Sequence, residues 1–69
     1  MKEKRENLII ARKKKGWTQE ELAKYVGISR AYLANIERGE HDPSLKVAQL
    51  ISCQLELSVD LIFFQNNVR

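Results

Sequence analysis

The sequence predicts an all-α domain built from five helices. Three observations carry that expectation. Apolar residues recur at helical spacing from Leu8 to Phe63, Ser or Thr stands ahead of the later apolar segments as a helix cap, and no stretch alternates securely with the period of a strand. At 69 residues the chain has room for one domain, 1–69, near the lower size at which an apolar core holds unaided. The single cysteine, Cys53, closes no intrachain disulfide and has no second Cys beside His41 for a zinc site, so helix packing must supply the core.

The first helix is expected over 4–15, with Leu8, Ala11 and Ile9 inward and Gly16 as the stop. Thr18-Gln19-Glu20-Glu21 has the form of a capping box, which starts a second helix running to about Val26. Leu22, Ala23 and Val26 make its apolar face, and Gly27 suits the left-handed conformation that ends it. Ser29 caps the third helix, which Gly39 terminates, with Leu33 and Ile36 facing inward. Ser44, next to Pro43, caps a fourth helix with an inner stripe of Leu45, Ala48, Ile51, Ser52 and Leu55. Ser58 caps a short fifth helix containing Val59, Ile62 and Phe63, and the polar tail 65–69 is either frayed or an edge strand.

Charge is unevenly placed. Residues 1–38 hold ten Lys or Arg against five acids, while 39–69 hold two against four, so a net +3 divides into +5 and −2. Such asymmetry suits contact between the first half and a polyanion, although a solvated basic surface gives the same count. The only apolar run near the amino end is Leu8–Ala11, too short for a signal peptide, and nothing approaches a membrane span, so a cytoplasmic address without membrane partners is expected. No nucleophile with a neighbouring base, no metal spacing and no glycine-rich phosphate loop appears. Catalysis is therefore disfavoured, and neither a cofactor nor a metal is expected.

The second and third helices are separated by about three residues, which forces a sharp crossing and makes a helix-turn-helix over about 18–38. Here the chain resembles the helix-turn-helix family of phage repressors and Cro proteins, the XRE family. WTQEELAKYVGIS, YLANIERGE, PSL and LSVDLIF carry the resemblance in order, and it extends from Leu8 through Phe63. It implies a five-helix, dimeric, sequence-specific DNA-binding domain that regulates transcription as a repressor or autoregulator. The resemblance also places Gln19, first in the second helix, against a phosphate, where the free amides of a helix N-terminus favour an anion. It makes Ser29–Arg38 the recognition helix and pairs Glu37 with Arg12 to orient it.

Chemistry ranks the remaining roles. Arg30 fits the O6 and N7 of guanine, Asn35 fits adenine, and Ala31 or Ala34 fits a thymine methyl; the outer face is expected to hold Ala31, Ala34, Asn35 and Arg38. Ser29, Tyr32 and Arg38 join Gln19 as phosphate contacts, with the backbone near Gly39 and Glu40. Trp17 could be an exposed anchor by its chemistry, but the resemblance implies a core position. Lys13–Lys15 either strengthen DNA contact or form a solvated helix end, the reading preferred here. His41 is expected to be an exposed loop residue and Cys53 a passive thiol.

Leu50, Leu57, Leu61 and Phe64 are apolar side chains in excess of the monomer core, within a region, about 47–64, through which the family dimerises. A homodimer implies a palindromic operator. The competing reading has Leu61 and Phe64 closing a small core. Glu56 stands where the family often has glycine, so that corner is expected to be strained or reshaped. No ligand-binding domain follows the helices in this sequence, which leaves concentration, a partner protein or a modest effector site to provide regulation. The alternative function is an antitoxin-like or adaptor module that uses the same fold to bind protein.

Overall fold

Thr18 and Glu21 form the expected reciprocal pair. The Glu21 amide donates to the Thr18 hydroxyl at 3.1 Å, and the Thr18 amide donates to the Glu21 carboxylate at 2.9 Å. Ser29, Ser44 and Ser58 accept from the amides of Tyr32, Val47 and Leu61 at 3.0, 3.2 and 3.2 Å. Each cap satisfies an amide that the first turn leaves without a partner. These caps set the element order in the computed structural model, which describes residues 3–64: α1 (Glu6–Lys14), α2 (Gln19–Val26), α3 (Arg30–Glu37), α4 (Leu45–Leu55) and a π-helix (Asp60–Phe64). No strand occurs among the described residues, and the expectation for the tail 65–69 lies outside them.

One boundary and one winding differ from expectation. Residues 4 and 5 do not join α1, because the Arg5 amide donates to the Glu37 carbonyl at 2.9 Å and so leaves the helical path. The last helix, capped by Ser58 as expected, is wound as π over Asp60–Phe64, with the Asn7 side-chain amide donating to the Leu61 carbonyl at 2.9 Å. Glu56 takes the left-handed conformation usual for glycine, with φ 59° and ψ 38°, as the C-cap of α4.

Leu8, Leu22, Leu33, Ile36 and Ile51 are fully buried, so each of the four α-helices supplies the centre of the core. Full burial of such a side chain stabilises by about 1.5–3 kcal/mol. α2 packs on α3 and α4, while α1 packs on α3 and the π-helix. Trp17 is half-buried against this core and meets the Tyr25 ring at 4.8 Å, as its structural assignment requires. Leu45 corrects the expected inner stripe of α4, since it is 65% exposed. It is the first residue of the helix, and side chains there lean back beyond the N-terminus, here toward Pro43 and Phe64.

Candidate nucleic-acid interface

The corner between α2 and α3 follows from small residues and one left-handed position. Ala23 is 2% exposed, and its carbonyl accepts from the amides of Gly27 and Ile28 at 2.8 and 3.0 Å. Gly27 has φ 90°, a conformation that costs a residue with a Cβ roughly 1–2 kcal/mol. The chain reverses at once, and Leu33 and Ile36 anchor α3 beneath α2.

One carboxylate fixes the attitude of α3. Glu37 accepts from Arg12 through Nε at 2.6 Å and Nη2 at 3.2 Å, a two-point contact between α1 and α3 with both side chains under 10% exposed. Gln19 donates to the same carboxylate at 2.9 Å, and Arg12 Nη1 donates to the Trp17 carbonyl at 2.7 Å. The Arg12–Glu37 pairing implied by the family resemblance is therefore present, and the Gln19 bond to it adds α2 to the junction. Holding Gln19 there also fixes the first residue of α2.

Ala31, Arg30 and Arg38 are exposed, and Tyr32 and Asn35 are half-buried. Ala34 corrects the expected outer face: it is 9% exposed, because the covered arc of α3 extends from Ile36 past Leu33 and Glu37 to Ala34. At about 100° per residue, Ala31, Asn35 and Arg38 share the open side, with Tyr32 toward its edge. Arg30 lies on a different azimuth and is exposed in the first turn. Arg38 Nη2 donates to Asn35 Oδ1, so the two side chains are held as a pair. The Ser29 hydroxyl accepts within its cap and keeps its own hydrogen to donate. Lys13, Lys14, Lys15, His41 and Cys53 are exposed.

Arg5 is the residue that sequence reading missed. It bonds the Ile36 carbonyl at 2.7 Å, the His41 carbonyl at 3.0 Å and the Asp42 carboxylate at 2.7 Å, all more than 30 positions away. No periodicity or motif signals contacts at that separation. Tyr32 and His41 meet edge to face, with ring centroids 6.3 Å apart.

The surplus apolar residues do not gather in a single groove. Leu57 and Leu61 line one with Ile10, while Phe64 lines another with Leu45 and Pro43; Leu50 is exposed on α4 outside both. A π-helix turns less per residue than an α-helix, so it moves Phe64 off the face that an i, i+3 spacing predicts. Among the described residues no cluster of His, Cys, Asp and Glu forms a metal-binding group, and no helix is long and apolar enough to cross a membrane.

Comparison with known proteins places this geometry among relatives. The family model described as helix-turn-helix matches residues 8–62. An HTH-type transcriptional regulator of Methanocaldococcus jannaschii is 46% identical over 46 residues, covering 67% of this chain and 70% of the relative. Antitoxin HipB of Escherichia coli is 40% identical over 57 residues, covering 83% of this chain and 61% of HipB. Among solved structures, the P22 c2 repressor bound to a synthetic operator superposes with a TM-score of 0.85 at 27% identity, covering 96% of this chain and all of the repressor chain.

Proposed function

Because the chain belongs to the helix-turn-helix family of the repressor and Cro type, a family of DNA-binding transcription regulators, we propose that it binds a palindromic operator as a homodimer and represses or autoregulates transcription. α3 enters the major groove in this reading. Arg30 reads guanine, Asn35 adenine and Ala31 a thymine methyl, while Gln19, Ser29, Tyr32 and Arg38 hold phosphates. Leu50, Leu57, Leu61 and Phe64 supply the dimer surface.

The observation that carries the proposal is the division of α3 into two faces. Leu33, Ala34, Ile36 and Glu37 are buried, whereas the open side presents Ala31, Asn35 and Arg38, with Tyr32 at its edge packed partly against the core and no large aliphatic side chain. A protein-docking face would be expected to centre on exposed aromatic or aliphatic anchors. Similarity to HipB accords with either a repressor or an antitoxin and does not choose between them.

Selection of bound sequences from random duplex DNA tests the proposal. A two-fold symmetric site should be enriched, and Arg30→Ala and Asn35→Ala should each relax the preference at one position per half-site by about 1–3 kcal/mol. Failure to enrich any site at low salt would rule out sequence-specific binding.

A further inference from the structure

Arg5 occupies an unusual position for a residue ahead of the first helix. Its amide donates to the Glu37 carbonyl at 2.9 Å, and its guanidinium Nη1 joins the Ile36 carbonyl, at 2.7 Å, to the His41 carbonyl, at 3.0 Å. Nη2 pairs with Asp42 at 2.7 Å, and the Phe63 ring lies 5.5 Å beneath the guanidinium carbon. The Arg5 side chain is 17% exposed and that of Asp42 is 80% exposed. Beside this clamp Gly39 is buried at φ 80°, and a Cβ there would meet the Glu3 carbonyl oxygen at 2.2 Å. The segment 3–5 therefore lies directly on the end of α3.

We propose that Arg5 is a positioning residue for DNA binding: it fastens the loop 39–42 to the last turn of α3 and offsets the charge of Asp42 where that loop approaches the DNA backbone. This rests on the DNA-binding reading given above. The loop folds back on α3 through the Glu40 and His41 amides, which donate to the Asn35 carbonyl at 2.9 and 3.4 Å. Its placement is thus continuous with that of a base-reading candidate. The loop also brings Glu40 and Asp42 to the negative end of the α3 dipole, an unfavourable combination beside a polyanion. A guanidinium meets both requirements, because its rigid fork serves the carbonyls and the carboxylate together while its charge offsets the acid.

Fluorescence anisotropy with a short, labelled, mixed-sequence duplex at low salt, together with thermal melting of each variant, provides the test. Arg5→Gln should weaken binding about tenfold, measured well below its melting temperature. Arg5→Lys keeps the charge without the fork and should fall about threefold below the parent, which keeps the test open if Arg5→Gln does not fold. Parent-like affinity in both Arg5 variants would overturn the proposal, as would a folded Arg5→Lys variant no tighter than a folded Arg5→Gln. A parent chain that leaves the duplex unbound at low salt would instead overturn the DNA-binding reading itself, and this proposal with it.

Discussion

Glu37 is the residue on which the orientation of α3 turns, because one carboxylate receives Arg12 from α1 and Gln19 from α2. Nearly complete burial makes the pair costly to break and uncertain in net value, since desolvation offsets much of the attraction between the charges. Glu37→Ala should therefore destabilise the domain by about 3–5 kcal/mol by stranding Arg12, and a 69-residue fold has little stability to lose. Arg12→Met combined with Glu37→Leu should cost less than Glu37→Ala alone. Urea unfolding of the set measures this, and additive losses would contradict it. The ion pair was legible because family resemblance joined two positions 25 apart in the chain. Gln19 and Arg5 were not legible in these roles: a glutamine at a helix start, or an arginine in a basic leader, fits many surfaces equally well. Only the folded chain brings Glu37 and Asp42 within their reach.

At the scale of elements, local chemistry determined most starts and stops. Thr18, Ser29, Ser44 and Ser58 each cap where expected, because a hydroxyl ahead of an apolar helical segment satisfies an amide wherever the helix later packs. The π winding of Asp60–Phe64 had no such local signal; it accompanies packing on α1 and the Asn7 bond to the Leu61 carbonyl. Ala34 and Leu45 went astray for a related reason, since a helical wheel gives direction but not how widely neighbouring elements cover it. Glu56 was flagged correctly as a departure. Its left-handed backbone closes α4 as glycine would, while its carboxylate lies 3.6 Å from Lys15 at an exposed position. Relief of that backbone conformation should exceed the loss of a solvent-screened ion pair. Glu56→Gly is accordingly expected to stabilise the domain by about 0.5–1 kcal/mol in chemical denaturation. A destabilised variant would mean that the Lys15 contact or the flexibility of glycine in the unfolded chain outweighs the strain.

On the scale of the whole molecule, the basic half of the sequence supplies α1, α2 and α3, and the net-acidic half supplies α4 and the π-helix. This separation puts most of the basic side chains on the helices that carry the proposed reading face. Exposed Ile10, Leu57 and Leu61 form one apolar groove, with Phe64 and Leu45 in a second. If the proposed dimer uses the region 47–64, Leu61→Asp places a charge where two copies meet without touching α3. Sedimentation should then show a shift from dimer to monomer at concentrations where the parent is dimeric. Binding to a duplex carrying two half-sites about one helical turn apart should weaken about a hundredfold, because linkage makes the second contact intramolecular. Binding to an isolated half-site should change little, since Arg30, Ala31, Asn35 and Arg38 are intact. Equal losses on both duplexes would point to damage to the fold. A parent that remains monomeric and gains nothing from the second half-site would remove the homodimer from the proposed mechanism while leaving α3 as the reading element.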